Sequence, residues 1–235
     1  MSILRSIVLS SALVGLSVGL IVSIAQHFAT VPLILQGEVY EKAAETAVPM
    51  TAAHAHEARG HEQGAEAWAP ADGVERTVFT VMANILTATG YALVLTGLFV
   101  LRGRPVGWRE GLLWGLCGFL VVTVAPGLGL SPELPGVQAA PLLERQVWWI
   151  GTAAATATGI ALLAFRPSPW AAAVALALFA VPHLIGAPRL AEQHSDVPEA
   201  LSHQFVVAVT LTSLVSWALL GWLSAVFYRR FDEAA

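Results

Sequence analysis

The residues of this chain best suited to chemistry are histidines and carboxylates. Three histidines, His54, His56 and His61, lie in the middle of Gln36–Thr77, where eight acids outnumber three bases. Neutral imidazole and carboxylate together suit borderline divalent ions such as cobalt, nickel, zinc and ferrous iron. A net-negative stretch gathers divalent ions by attraction, and a few imidazoles then hold the softer ones over magnesium or calcium. His54-x-His56 with His61 beyond it reads as a flexible metal collector, with Glu38 and Glu41 as capturing carboxylates. A His-bearing loop is compositional evidence for metal binding, and a solvated acidic loop is the plain alternative.

His183 stands in VPHLIGAP, directly behind Pro182 in an apolar stretch. A proline there leaves the carbonyl about four residues back, near Leu178, without its helical donor. A freed carbonyl and an imidazole can line an ion step; a histidine hydrogen-bonded across helices is the structural alternative. His203 (SHQF) and His27 (IAQHF) are the candidate partners in that metal station. His183→Ala is then expected to cost more divalent-metal accumulation than changes to the loop histidines.

Thr77, Thr80, Asn84, Thr87 and Tyr91 step three and four residues apart, so they share one helical face. Such a stripe in an apolar helix points to a protein interior or a wet path. Interhelical hydrogen bonding is its plain use, and a translocation path through Thr80, Asn84 and Thr87 is the sharper one. Enzymatic signatures do not occur. With Lys42 the only lysine, there is no G-x-x-x-x-G-K-[ST] loop, and H-E-x-x-H and C-x-x-C-H are also missing. Cys117 is the single cysteine, so no internal disulfide forms.

These residues must be held by elements that live in lipid. Hydrophobic residues make up 56% of the 235-residue chain and charged ones 12%, a charged share too low to cover a soluble fold of this size. The expectation is an all-α polytopic membrane protein, one membrane domain over 1–235. Six transmembrane helices are read at about 6–30, 78–101, 111–130, 147–165, 170–185 and 204–228, with an outer polar loop at 36–77. A five-span bundle follows if Trp170–Ile185 only re-enters the bilayer. Ser23-Ile-Ala25 resembles a signal cleavage site, but the uncharged run Ile7–Ala25 is longer than a signal core, so a retained anchor is expected. Ser11, Gly15, Gly19 and Ser23 recur every fourth residue, as close helix packing requires. The partner solvent is membrane lipid, and with no basic block nucleic acid is excluded.

Six spans place both termini on one face, with Arg5, Arg102, Arg104, Arg109, Arg166, Arg229 and Arg230. That face carries +4 and the other −8. Arginine-dense short loops belong to the cytoplasm, so both termini are expected there. All seven histidines then fall on the outer side.

Several stretches resemble the CbtA family of predicted cobalt transporters. They are VPLILQGEVYE (Val31–Glu41), the His-bearing loop, WAPADGVERT (Trp68–Thr77), APGLGLSPELPG (Ala125–Gly136), RQVWW (Arg145–Trp149), PHLIGAP (Pro182–Pro188) and SHQFVVA (Ser202–Ala208). They run in order over nearly the whole chain. The resemblance implies a bacterial inner-membrane protein linked to cobalt uptake for cobalamin synthesis, with a small single-span, histidine-bearing companion of the CbtB type.

The expected function is uptake of a divalent transition ion, cobalt by resemblance and nickel or zinc by chemistry alone. The ion is transported cargo, and no permanent cofactor is expected. A membrane redox component holding haem between His27 and His183 is one alternative. A non-transporting metal-binding scaffold or sensor is the other.

Overall fold

The computed structural model of the chain describes residues 3–47, 70–190 and 195–233. Among these there is no strand, and seven helices follow one another: α1 (Ile3–Ala29), α2 (Val31–Ala47), α3 (Val74–Arg102), α4 (Trp108–Gly127), α5 (Leu142–Phe165), α6 (Pro169–Ile185) and α7 (Glu199–Glu233). The five helices α1, α3, α4, α5 and α7 are long and apolar enough to cross a membrane, and α6 is apolar but shorter. The all-α polytopic bundle expected from composition is therefore the architecture. Its outer surface carries many large apolar side chains, while several hydroxyl residues are buried at the helix contacts. Ser10, Ser11 and Thr96 are 0% exposed, whereas Leu86 and Leu176 are each 68% exposed. Lipid gives apolar side chains no reason to hide, so small and polar residues take the helix contacts.

α1 is the centre of the bundle, packed against α3 on one side and α7 on another. Ser11, Gly15, Gly19 and Ser23 form its seam with α3, as their spacing requires. A Cβ on Gly19 would lie 2.6 Å from the Ile85 Cα, and one on Gly15 would collide with Thr89. The Ser11 hydroxyl donates to Thr96 Oγ1 at 3.4 Å. A second glycine seam joins α4 to α7. A Cβ on Gly221 would sit 2.7 Å from the Gly115 Cα, and Gly111 lies against the same turn. Both α3 and α7 rest on α1.

α6 runs back along α5. The Trp148 indole nitrogen donates to the Pro182 carbonyl at 3.2 Å, so the end of α6 lies beside the start of α5. Phe179 fills the notch left by Gly159, and Thr152 and Thr156 are buried on the same α5 face. With 17 residues α6 is about 25 Å long, short of the roughly 30 Å of a hydrocarbon core. It nevertheless returns the chain to the opposite end of the bundle. The two chain ends meet: the Ser6 hydroxyl donates to the Phe231 carbonyl at 3.4 Å. α6 runs alongside the five helices that are long and apolar enough to cross a membrane, without being one of them by length.

The end holding both termini is here called proximal. It also carries Arg102, Arg104, Arg109 and Arg166 on the α3–α4 and α5–α6 turns. At the distal end, the segment read as polar loop from Gln36 continues as helix to Ala47. Ala, Glu, Lys and Leu favour helix there, and Pro32 stands in the first turn, where its missing N–H goes unused. α2 lies over the loop after α4. Leu134, Val197, Leu201 and Phe205 are buried together, with Leu33, Ile34 and Tyr40 packed on them. Gly136 has a left-handed φ of 84° and turns that loop directly beneath α2, where a Cβ would be 3.2 Å from the Glu41 nitrogen. α2 and this loop cap the bundle.

Candidate functional site

The cap covers a chamber of about 440 Å³ at the bundle centre, between α1, α3, α4 and α7, whose wall sets polar groups among apolar ones such as Val22, Ile34, Val122, Phe205 and Val209. Gln26 and Thr30 enter its wall from the end of α1. α3 contributes Arg76, Thr80, Asn84, Thr87 and Tyr91, one helical face as the spacing requires. From α7 come Thr212, Ser213 and Ser216, and from α4 Thr123. The floor is aromatic: the rings of Tyr91 and Trp217 lie 4.7 Å apart. Proximal to it the interior turns apolar, with Val14, Val18, Ala92, Leu95 and Phe99 buried together.

Asn84 ties the α1 and α3 walls of this chamber together. Its Nδ2 donates to Ser23 Oγ at 2.9 Å and to Gln26 Oε1 at 2.7 Å. The helix face and the small-residue seam identified from the sequence thus meet at one amide. Thr77, the first member of the stripe, instead donates to the Gly73 carbonyl at an exposed position.

At the distal rim, Arg76 Nη2 donates to Glu38 Oε1 at 2.5 Å and its Nη1 to Asp72 Oδ1 at 3.3 Å. The pair links α2 to the start of α3 across the mouth of the chamber. Two carboxylates around one guanidinium leave the rim net negative. The sequence marks Glu38 as a direct metal captor, and in this state its carboxylate is engaged by Arg76. Glu41 is half-buried one turn further on, beside Gly136.

The wall on the α4 side is a π-helical segment, Leu120–Val124, in which the Ala125 N–H reaches back to the Leu120 carbonyl. Pro126 has no N–H to offer the carbonyl four residues before it, and a widened turn accommodates that loss. Val122 and Thr123 of this segment also border a second cavity of about 830 Å³ on the flank between α4, α5 and α7. That cavity is larger and more strongly apolar than the chamber, lined by Leu128, Leu142, Trp149, Ile150 and Val206. Its one ionised lining group, Arg145, is paired with Glu133 at 3.0 Å.

The histidines are placed differently from the expected station. His27, His183 and His203 are all at the distal end and all exposed. His27 meets the edge of Phe28 at 5.2 Å, and His183 the edge of Trp148 at 5.9 Å. Among the described residues no three His, Cys, Asp or Glu side chains are grouped closely enough to hold one metal ion. None of the three histidines lines the chamber. The Pro182 carbonyl accepts from the Trp148 indole in addition to its ordinary helical donor, the Gly186 N–H. His54, His56 and His61 lie outside the described residues, as does His194. What the sequence did not signal is the α7 contribution: Thr212, Ser213 and Ser216 are scattered among apolar residues with no motif to mark them.

A helical bundle of apolar spans, its small residues inward and a partly polar chamber at its centre, defines a polytopic membrane protein. The family model described as probable cobalt transporter subunit (CbtA) matches residues 4–229, and the chain belongs to that family. No curated protein and no solved structure matches it. The family places the chain among transporter components rather than catalysts, and its standing as one component implies a partner.

Proposed function

We propose that the chain takes up a divalent transition ion, Co2+ by its family, across the bacterial inner membrane. The distal end faces the periplasm and both termini face the cytoplasm. Arginines crowd the short proximal turns, and positive residues close to helix ends favour the cytoplasmic side. Ions gather at the acidic distal surface, where His54, His56, His61, His27, His183 and His203 act as separate weak ligands, and then enter the chamber past Glu38 and Arg76. Glu41 adds negative charge beside the mouth. The companion is a small single-span, histidine-bearing protein of the CbtB type, and the ion serves cobalamin synthesis. The observation that carries this reading is the chamber itself, whose polar wall opens toward the acidic end.

Haem held between His27 and His183 gains no support, because the two exposed rings pack against different neighbours on helices that sit apart in the packing order. A scaffold that binds metal without moving it is separated by counting cobalt in cells grown at limiting metal, with and without the chain. Transport requires chain-dependent accumulation, and equal cobalt in both would end the reading. The position of His183 outside the chamber moves the larger expected loss away from that residue. His183→Ala, and His54→Ala with His56→Ala and His61→Ala, are each expected to lower accumulation only a few-fold, because collection at the surface is shared among many weak groups.

A further inference from the structure

We propose that the chamber is an outer-sphere site, which takes the divalent cation with its water shell intact. This rests on the reading that the chain carries such an ion. Cobalt and its neighbours exchange water readily for imidazole, thiolate or carboxylate. Among the described residues none of those groups lines the chamber; the polar part of its wall consists of amides and hydroxyls, with Arg76 at the rim. The hydrogen bonds already made within the wall decide what it offers. Thr30, Thr80 and Thr212 donate their hydroxyl protons to the carbonyls of Gln26, Arg76 and Ala208. Each hydroxyl then has only lone pairs left for the chamber. Asn84 likewise commits Nδ2 to Ser23 and Gln26, which leaves its Oδ1 as an acceptor.

These four acceptors complement the outward-pointing protons of an aquated cation, and the hydroxyls of Thr87, Ser213 and Ser216 can rotate to present lone pairs beside them. Size agrees. Six waters at about 30 Å³ each occupy roughly 180 Å³, and the chamber of about 440 Å³ holds such an ion with room for further water. The rim does not oppose entry, since Glu38 and Asp72 outweigh the charge of Arg76. Selection between metals is then made at the histidine-bearing surface, and the chamber discriminates by charge and hydrated size.

Hexaamminecobalt(III) tests this, because its ligands do not exchange and its N–H groups point outward like the protons of a water shell. The full-length chain in neutral phosphatidylcholine nanodiscs should bind it. Thr212→Val, which keeps the shape and removes the acceptor, should weaken that binding about tenfold. Replacing His54, His56 and His61 by alanine should leave it unchanged, since an inert complex cannot be ligated by imidazole. Binding that is absent, or equal in wild type and Thr212→Val, would overturn the proposal. Cobalt accumulation in cells reports separately on whether the chain transports at all.

Discussion

Cobalt accumulation through a chain carrying Asn84→Leu is expected to fall about tenfold or more at limiting metal. Asn84 joins α1 to α3 by two hydrogen bonds at chamber level, to Ser23 and Gln26. Leucine is of comparable size but offers no acceptor, and it leaves the Gln26 amide oxygen without its donor. An unmet buried polar group costs about 1–3 kcal/mol, and loss of about 1.4 kcal/mol of stabilisation of the passing ion is tenfold. The helices themselves should still associate, because Gly15 and Gly19 set their approach. Membrane-inserted protein should therefore remain near the wild-type level, which separates a damaged path from a missing protein. Wild-type accumulation by Asn84→Leu would remove the chamber from the route.

Arg76→Glu is the second change with a large expected effect. Glu38 is 17% exposed and Arg76 36%, so the pair is partly shielded and holds α2 over the chamber mouth. The substitution sets three carboxylates against one another at that rim. Breaking a fully buried pair costs about 3–5 kcal/mol, and exposed pairs carry about 0–1, so about 1–2 kcal/mol is expected here. Thermal unfolding of the purified protein should drop accordingly, and uptake should fall with it as the cap loses its tie. Combining Arg76→Glu with Glu38→Arg restores opposite charges and should recover most of both losses. If the two single effects simply add, the ion pair does not hold the cap.

Much of this arrangement is legible from residue spacing. The run of Ser11, Gly15, Gly19 and Ser23 specifies the α1–α3 contact because close approach in lipid demands small residues at one helical register. The threes and fours from Thr80 to Tyr91 mark the chamber wall for the same geometric reason. The α4–α7 seam is harder to read, since Gly111 and Gly115 lie in a helix whose partner glycine, Gly221, is a single residue in a long apolar run. The helical state of Val31–Ala47 is obscured because its charges resemble those of the loop that follows. His183, His203 and His27 share one end of the bundle, as their heights along the spans require, but they do not stand beside each other. Sequence gives the height of a residue along its span, whereas the direction it faces depends on which helices pack together, and α6 packs outside α5.

The central claim is that the transported ion occupies the chamber, and substituted-cysteine protection tests it most directly. Cys117 is the only native cysteine and is replaced by serine; Ser216→Cys then places one thiol in the chamber wall. A small, charged, membrane-impermeant thiol reagent is applied from the periplasmic side, with and without saturating Co2+. Modification that proceeds from that side and slows about tenfold or more when Co2+ is present is the expected result. A thiol that the reagent never reaches, or reaches equally fast with Co2+ present, would contradict passage through the chamber.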